Sequence, residues 1–481
     1  FSKFDGFWSV FLFDHSKKVV TIARDRFGIK PLYYYYKNDV FICSSEIKSI
    51  LKLSQTNVEI DLDYLFGNWV LEAENEFSNT LYKTISAFPN SHYKKIKISD
   101  RLSLGSFRRY WRPEPQFEIY NERQAIDLFS EIFEDSVKNR VMSDRPMGLT
   151  LSGGVDSTAV AIALRNTGNI ENIKAYTVKF NGEDFDEFHI ARNTAKRLNL
   201  DHQGVSIDFS KIDTEFRSFA YHQELPVTSF SQLMNWYVHK GMEKDGIKGV
   251  LNGQGGDEIF LGYERHRTQA ISPKNIITLA KSLIESSNTT RHGAIQLLLF
   301  TIFYNLKQPR KLLQQYRAEK YLHKSFLEKR QYKYHSVANN NKELIINEAI
   351  GGQLARLLRY DDRTASAFGM EGRPVFLDHK LLEFSLSLPD DLHFKKGWSK
   401  YIVRKYLEQN GFTDLAWSRN KLGFQAPHKE ITSYVDCEFK EMRKYLVHVI
   451  RKNVSYAKLR DLDYFKLYYM DTLLNEMSEF I

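Results

Sequence analysis

A turn at residues 151–157 brings together residue types that bind phosphate. It contains, in order, Leu151, Ser152, Gly153, Gly154, Val155, Asp156 and Ser157. The two glycines let the backbone approach an anion closely, while the serine hydroxyls and the free amides of a following helix donate hydrogen bonds to phosphate oxygens. The carboxylate of Asp156 would repel phosphate unless a cation lay between them. The turn therefore predicts a phosphate site that also holds Mg²⁺.

A second glycine-rich turn has the same combination of glycines and an aspartate. It runs through Leu251, Asn252, Gly253, Gln254, Gly255, Gly256 and Asp257. Backbone amides near its glycines can face an anion, and Asp257 again places a carboxylate where a cation is needed. We expect Asp156 and Asp257 to share one Mg²⁺. Taken alone, this segment is also compatible with a plain helix start in which Asp is the cap.

Two further clusters carry charge that could act on such a site. One contains Arg363, Glu371 and Arg373, for which surface salt bridges on a helix are the alternative. The other, at 419–427, places Lys421 beside a Gly-Phe turn. An ammonium there could neutralise charge that develops on an α-phosphate as pyrophosphate leaves.

The first turn differs from the common nucleotide-binding loops. It lacks the Lys of a G-x-x-x-x-G-K-S/T loop and the spacing of G-x-G-x-x-G. It resembles the S-G-G-x-D-S loop of enzymes that split ATP into AMP and pyrophosphate. The alternative is a simple Gly-Ser turn between a strand and a helix.

Strands and helices that alternate along the chain must position these turns. The strand-like segments are 147–151, 175–180, 203–207 and 248–251, and the helical segments between them include 187–198 and 231–243. This alternation predicts a parallel sheet wrapped by helices, with ligands bound beyond the carboxyl ends of the strands. From residue 273 onward the pattern is almost wholly helical, which predicts a helical layer over the sheet.

The N-terminal part has a different pattern. Segments 7–13, 19–24, 32–36 and 40–44 alternate with turns, which predicts antiparallel strands. The pattern stops around 111–115, and helical spacing begins near 121. We therefore predict two domains, at 1–112 and 120–481.

Composition excludes several classes of protein. The chain has 481 residues, and its two cysteines, Cys43 and Cys437, support neither a disulfide framework nor a C-x-x-C metal site. The apolar stretch 294–306 is too short to cross a bilayer, and the start of the chain offers no signal peptide, so we expect a cytoplasmic protein. The start also lacks an initiator Met, so we expect that the chain has been cut from a longer one.

The net charge of +9 and the basic run at 310–333 could attract nucleic acid. Without a nucleic-acid fold signature, a solvated helical face is the better interpretation, and we expect neither a nucleic-acid nor a membrane partner.

Five motifs in order resemble a known family. The chain resembles the synthetase domain of glutamine-dependent asparagine synthetases in a series of motifs. In order along the chain they are SGGVDS, GQGGDEIFLGY, DDR with MEGRPVFLD, GWSKYIVRKYL and RNKLGFQAP. Residues 5–8, 23–33 and 45–48 are similar to the second half of that family's class II glutaminase domain. The resemblance implies an α/β fold, in which a partial glutaminase sandwich precedes a parallel sheet of the ATP-pyrophosphatase type with a mostly helical C-terminal layer.

The resemblance also implies a reaction. ATP would bind at 152–157, the side-chain carboxylate of aspartate would be adenylated, and ammonia, taken from glutamine in the full-length protein, would displace AMP. The implied nucleotide-binding residues are Leu151, Ser152, Gly153, Gly154, Asp156, Ser157, Val178, Gly253 and Gln254, with Asp156 and Asp257 on Mg²⁺. Lys421 and Arg363 would lie on the phosphate side, and Glu371 with Arg373 would order the site. A homodimer is possible in this family.

The chain departs from the family pattern at three points, and each bears on a different part of the implied reaction. Gln254 stands where the family commonly has Glu, and an amide cannot act as a base. Pro374 and Val375 are exchanged relative to the usual order, which allows a carboxylate other than aspartate. The family's nucleophilic cysteine should precede Phe1, and Cys43 within a strand is better interpreted as a core residue.

Other functions are also compatible with the sequence, since residues 223–229 and 253–256 resemble a second branch of the same family. The nearest is a same-family amidotransferase that acts on a uronic-acid or other carboxylate in polysaccharide biosynthesis. A β-lactam-forming synthetase, an RNA-modifying pyrophosphatase and a non-catalytic nucleotide sensor are further alternatives.

Overall fold

The computed structural model describes most of the chain. The described residues are 1–55, 59–65, 67, 79–99, 102–180, 187–270, 276–290, 292–305, 307–328, 338, 340–419, 427, 431, 444, 446, 449–451 and 461–480.

Antiparallel strands make up the first part of the chain. They are β1 (Ser9–Asp14), β2 (Val19–Arg24), β3 (Tyr33–Lys37), β4 (Val40–Ser44), β5 (Ile85–Ala87), β6 (His92–Lys97), β7 (Ser103–Leu104) and β8 (Arg108–Arg109). One sheet has the order β1-β2-β6-β7 with β8 also paired to β6, and a second has the order β4-β3-β5. Along β2, Val20 and Ile22 are buried while Val19 and Thr21 are partly exposed, as expected for a strand with one face on a core. The four predicted strands are confirmed.

A five-stranded parallel sheet follows. Its strands are β9 (Met147–Thr150), β10 (Ile173–Lys179), β11 (Asp201–Ser206), β12 (Gly249–Asn252) and β13 (Glu371–Pro374). The spatial order is β11-β10-β9-β12-β13, and every neighbouring pair is parallel. The direction of winding reverses between β9 and β12, and such a switch point opens a crevice at the carboxyl ends of the strands. The predicted α/β class is confirmed.

The mostly helical layer predicted beyond residue 273 is confirmed, and strand β13 is an exception within it. The segment Glu371–Pro374 holds no β-branched residue, so its own sequence favours no strand. Its backbone pairs with the free edge of β12, and Glu371 N–H donates to the Lys248 carbonyl at 2.8 Å. The tertiary pairing supplies hydrogen bonds that local propensity does not predict. A short hairpin, β14 (Phe394–Lys395) with β15 (Trp398–Ser399), is a second exception.

Helices pack on both groups of sheets and on one another. They are α1 (Ile47–Ser54), α2 (Leu62–Leu65), α3 (Glu122–Val141), α4 (Val155–Asn166), α5 (Phe188–Leu198), α6 (Ile212–Gln223), α7 (Ser231–Lys244), α8 (Gly256–Ile259), α9 (Glu264–Ala270), α10 (Ile276–Ser287), α11 (Ala294–Asn305), α12 (Lys307–Ala318), α13 (Lys324–Glu328), α14 (Asn341–Ile350), α15 (Gly352–Ala367), α16 (His379–Ser387), α17 (Asp390–His393), α18 (Tyr401–Gln409), α19 (Thr413–Ala416) and α20 (Asp461–Glu476). Helix α4 is buried from Ser157 to Leu164, because its alanines and short side chains let other elements pack on every face. In the part of the chain that the structure describes, no helix is both long and apolar enough to cross a membrane.

Glu224 connects the antiparallel region to the helices around the parallel sheet. Its carboxylate accepts hydrogen bonds from the backbone N–H groups of Ile47 at 3.1 Å and Lys48 at 2.9 Å, at the start of α1. It also lies 3.1 Å from Nη2 of Arg363 on α15, and the Glu224 side chain is 1% exposed. A carboxylate at a helix start is stabilised by the free amides and by the helix dipole. Glu224 therefore caps a helix that is distant in sequence and holds α15 against it.

We expect Glu224→Ala to lower the free energy of unfolding by about 3–5 kcal/mol, because it leaves the buried guanidinium of Arg363 without its main counter-ion. Urea unfolding of the chain measures this loss. Glu46→Ala is the matched control, since Glu46 pairs with the same Arg363 and with Lys48 but is 37% exposed. It should cost about 1 kcal/mol or less. Equal losses in the two variants would contradict the capping role of Glu224.

Candidate active site

The two glycine-rich turns lie side by side because β9 and β12 are neighbours in the sheet. Their approach is close: a Cβ atom at Gly253 would lie 2.9 Å from Cβ of Asp156 and 3.2 Å from the Ser157 nitrogen. Only glycine at this position lets the second turn pack against the first. The contact places Asp156 and Asp257 in one cavity of about 870 Å³.

The first turn is shaped by its own hydroxyl groups. The Ser152 and Ser157 hydroxyls lie 3.1 Å apart, and the Ser152 backbone N–H donates to the Ser157 hydroxyl at 3.2 Å. Gly154 occupies the N-cap position of α4 in an extended conformation, and its N–H donates to the Ser152 hydroxyl at 3.3 Å. Helix α4 thus begins at the cavity wall, where its N-terminal amides and its dipole favour an anion.

Lys400 lies between the two aspartates. Its Nζ is 2.5 Å from Oδ2 of Asp156 and 2.7 Å from Oδ1 of Asp257, and its side chain is 4% exposed. The residue stands at the N-cap position of α18 in the left-handed backbone region, with φ of 54°. A Cβ at Gly262 would lie only 2.0 Å from Lys400 Cε and 1.9 Å from Asp257 Oδ1, so this glycine makes the ion cluster sterically possible. A buried cation here offsets the repulsion between two carboxylates.

Sequence reasoning missed Lys400. It belongs to the stretch GWSKYIVRKYL, which contributed only to the family resemblance. A signal was nevertheless present, since a lysine directly before an amphipathic helix, in a motif that accompanies two aspartate turns, is a candidate counter-ion for them.

The predicted nucleotide-binding residues border a common space. The cavity is lined by Leu151, Ser152, Gly153, Gly154, Asp156, Ser157, Val178, Gly253, Gln254 and Asp257. Gln254 is held by its own turn, because its backbone N–H donates to Oδ1 of Asn252 at 3.1 Å.

Arg363 and Glu371 are not part of this cavity, which corrects their predicted placement. Arg363 faces the antiparallel region, where it pairs with Glu224 and Glu46. Glu371 begins β13 at the amino end of the sheet, opposite the edge that carries the turns, and it pairs with Arg373 at 2.9 Å. Both corrections have one cause: spacing in sequence does not reveal which face of a helix or which end of a strand meets the ligand.

Two other sequence expectations concern residues near the site. Lys421 lies outside the described residues, so its role stays a prediction. Pro374 and Val375 are buried at the end of β13 and do not line the cavity, so their exchange makes no direct contact with a substrate there. Cys43 lies on β4 opposite Tyr34 and is partly buried, and burial raises the pKa of its thiol.

Polar side chains also line the cavity outside the two turns. Thr228, Ser229, Ser231 and Gln232 contribute one side, and Arg356, Tyr360 and Asp361 of α15 contribute another. Asp361 is buried and accepts hydrogen bonds from Nδ2 of Asn252 at 2.8 Å and Nδ2 of Asn235 at 3.3 Å. Burial raises the pKa of the Asp361 carboxyl.

Arg356 differs from the other cavity arginines. Arg265 pairs with Glu348, and Arg404 donates to backbone carbonyls. Nη1 of Arg356 is buried without a hydrogen-bond partner among the described residues. A buried guanidinium nitrogen that borders a cavity is suited to bind an anionic group of a ligand.

Comparison with known proteins gives the family. Residues 128–479 match the family described as "Asparagine synthase", and residues 1–111 match the "Glutamine amidotransferase domain". The chain belongs to the asparagine synthase family.

Relatives in this family are distant and longer than the chain. The chain is 25% identical to asparagine synthetase (glutamine-hydrolyzing) 1 of Bacillus subtilis, over 89% of the chain and 68% of that protein. It is 27% identical to the putative asparagine synthetase (glutamine-hydrolyzing) 2 of Methanocaldococcus jannaschii, over 55% of the chain and 51% of that protein. It is 28% identical to amidase chyE of Penicillium rubens, over 56% of the chain and 41% of that protein. The chain thus spans about half to two thirds of the length of its asparagine synthetase relatives. Among solved structures, it matches the NH3-dependent NAD synthetase of Campylobacter jejuni over 45% of the chain and 100% of that protein, at 14% identity and a TM-score of 0.23.

For this member of the asparagine synthase family, we expect Asp156→Asn and Asp257→Asn each to lower the rate of pyrophosphate release about a hundredfold or more. Each change removes a charge from the cavity and keeps the shape of the side chain, and stabilisation of charge at a transferring phosphoryl group contributes a few kcal/mol. Release of pyrophosphate from ATP, measured with saturating Mg²⁺ and acceptor, tests this. Near-normal turnover in either variant would contradict a role for the aspartate pair.

We also expect Lys400→Met to lower kcat by about a hundredfold with a smaller change in the KM for ATP, because a charge that acts on the departing pyrophosphate contributes mainly in the transition state. Lys395→Met is the matched control. Lys395 lies nearby in the sequence but pairs with Glu122 away from the cavity. A wild-type kcat in Lys400→Met, or an equal loss in the control, would remove Lys400 from the mechanism. Lys421→Ala in the same assay tests the residue predicted from sequence.

Proposed function

We propose that this chain uses ATP to adenylate the side-chain carboxylate of aspartate and then transfers ammonia to it, which yields asparagine, AMP and pyrophosphate. The observation that carries the proposal is the pairing of two glycine-rich turns at the switch point of the sheet, with Asp156, Asp257 and Lys400 between them. Membership of the asparagine synthase family supports this type of reaction.

The first step places ATP against the turn at 152–157. Backbone amides at the start of α4 would hold phosphate oxygens, and a carboxylate oxygen of the acceptor would attack the α-phosphorus while the bond to pyrophosphate breaks. In the second step ammonia attacks the acyl carbon, the bond to AMP breaks, and one proton is released. Lys400 would remain beside the pyrophosphate and stabilise its charge as it leaves.

The two aspartates fit a magnesium site that is completed by the nucleotide. Mg²⁺ in such sites is commonly held by one or two carboxylates together with substrate phosphates. Among the described residues, no group of three or more His, Cys, Asp or Glu side chains could hold a metal ion without the help of a ligand. Asp156 and Asp257 would hold the ion, which supplies charge neutralisation for the phosphates when bound.

The polar wall of α15 supports an amino acid as acceptor. Arg356 offers a buried guanidinium nitrogen to an anion, and Asp361 offers a carboxylate to a cation. Aspartate carries an anionic α-carboxylate and a cationic α-ammonium group, in addition to the side-chain carboxylate that reacts. We therefore assign Arg356 to the α-carboxylate and Asp361 to the α-ammonium group of aspartate.

A second acceptor class is favoured by one observation. Three hydroxyl side chains, those of Thr228, Ser229 and Ser231, line the cavity beside Gln232. Such a wall can bind the hydroxyl groups of a sugar, so a uronic-acid carboxylate is the alternative acceptor.

An acceptor panel separates the two classes. AMP formation is measured with ATP, Mg²⁺ and ammonium in the presence of aspartate, succinate, β-alanine or galacturonate. We expect aspartate to have the highest kcat/KM, because succinate lacks the group that would meet Asp361 and β-alanine lacks the group that would meet Arg356. A higher kcat/KM for galacturonate would establish the alternative, and no acceptor-dependent AMP formation would contradict the proposed reaction.

We expect Arg356→Met to raise the KM for aspartate about a hundredfold, since a charge-assisted hydrogen bond to a buried cation contributes about 1.5–3 kcal/mol. The KM for ATP should change little. With β-alanine, which lacks the α-carboxylate, kcat/KM should be the same in the variant and the wild type. A loss for β-alanine equal to that for aspartate would show that Arg356 only supports the fold.

A further inference from the structure

An apolar stripe is exposed on α11. Ile295, Leu298, Leu299 and Ile302 follow the spacing i, i+3, i+4, i+7 of one helical face, and their exposed fractions are 77%, 37%, 59% and 46%. On the other side of α11, Leu297 and Thr301 are buried against the protein. The stripe is therefore an outward face of a helix that is anchored by its opposite face.

Exposed apolar residues also occur on the two neighbouring helices. Leu312 and Tyr316 on α12 are 62% and 67% exposed, and Ile284 on α10 is 58% exposed. Helix α11 packs against both α10 and α12. Monomeric proteins seldom leave an apolar surface of this kind in water unless it meets a partner. We call the exposed residues of α10, α11 and α12 the helical patch.

Positive charge follows directly after the stripe. Helix α11 contains no charged residue, whereas residues 307–328 contain six Lys and Arg and only two Glu. These 22 residues therefore carry a net charge of +4 out of the +9 of the whole chain. Lys320 and Lys324 are among those whose side chains are exposed.

We propose that the helical patch binds the surface of an anionic lipid bilayer, with α11 lying in the interface and α12 near the headgroups. Apolar side chains beside a basic segment are the two components that amphipathic membrane-binding helices combine. Tyr316 is suited to the same boundary, since its ring is apolar and its hydroxyl is polar.

The charge argues against a second copy of this chain as the occupant. A twofold interface through the stripe would bring two copies of the basic segment 307–328 close together, and like charges in contact destabilise an interface. An anionic bilayer instead neutralises them. The proposal concerns a surface outside the cavity, so it does not depend on the proposed reaction.

Co-sedimentation with vesicles tests the proposal on the full chain. The probes are vesicles of phosphatidylcholine alone and of phosphatidylcholine with phosphatidylglycerol at three to one. We expect at least about tenfold stronger binding to the anionic vesicles, and weaker binding as salt is raised, because each basic residue near the surface contributes on the order of a factor of five.

Two pairs of variants locate the binding surface. Leu299→Asp should weaken binding about tenfold or more because it removes apolar contact from the helical patch. Lys320→Glu should have an effect of the same size because it reverses a charge in the adjacent basic segment 307–328. Leu53→Asp and Lys52→Glu make the same chemical changes at exposed positions on α1, where Leu53 is 67% exposed, and should bind like the wild type. The urea-unfolding midpoint of each variant, compared with that of the wild type, shows that the variant is folded.

Three results would overturn the proposal. Equal binding to neutral and anionic vesicles would show that positive charge does not contribute to binding. Equal effects of the patch variants and the α1 variants would show that the helical patch is not the surface that binds. Absence of vesicle binding, together with a wild-type dimer in sedimentation that Leu299→Asp converts to a monomer, would assign the patch to self-association.

Discussion

Lys400 makes it possible for two carboxylates to share one buried cavity. Asp156 and Asp257 come from turns about a hundred residues apart, and each would repel the other without the ammonium that lies within 2.7 Å of both. The geometry of the site depends on this ion cluster and on the small residues that leave room for it. Gly253 lets one turn pack against the other, and Gly262 gives space to the lysine side chain. Since the cluster lies where α4 and α18 begin, it also fixes the position of these two helix starts relative to the sheet.

The sheet explains why these turns meet. With the order β11-β10-β9-β12-β13, the chain winds outward in opposite directions from β9 and from β12, and a crevice opens at the carboxyl ends of these two strands, where the two turns begin. Helix α15 lines the cavity there with Arg356, Tyr360 and Asp361. The other face of α15 presents Arg363 to Glu224, which caps α1 of the antiparallel region. One helix therefore connects the cavity wall with the N-terminal part of the chain, so the position of that wall depends on packing between the two parts.

Much of this arrangement could be predicted from local patterns. Apolar segments that alternate with amphipathic ones predicted the parallel sheet, and the two Gly-rich turns with Asp156 and Asp257 were recognised because phosphate chemistry requires those residue types. Prediction from local patterns failed where the role of a residue depends on which way its side chain faces or on which end of a strand it occupies. Arg363 and Glu371 are charged residues in suitable motifs, yet one faces the antiparallel region and the other lies at the amino end of its strand. Lys400 was overlooked because a single lysine in an amphipathic segment resembles any solvated cation.

The sequence by itself determined which groups the site contains: glycines for close approach, hydroxyls and helix amides that can donate to an anion, and two carboxylates that need a cation. It also determined the class of fold, since strand and helix periods are local properties of the chain. Only the tertiary structure decided which cation meets the carboxylates, which face of α15 forms the cavity wall, and that β13 completes the sheet. These outcomes depend on contacts between residues hundreds of positions apart. Their energies come from burial and pairing in the folded state, which spacing along the chain does not encode.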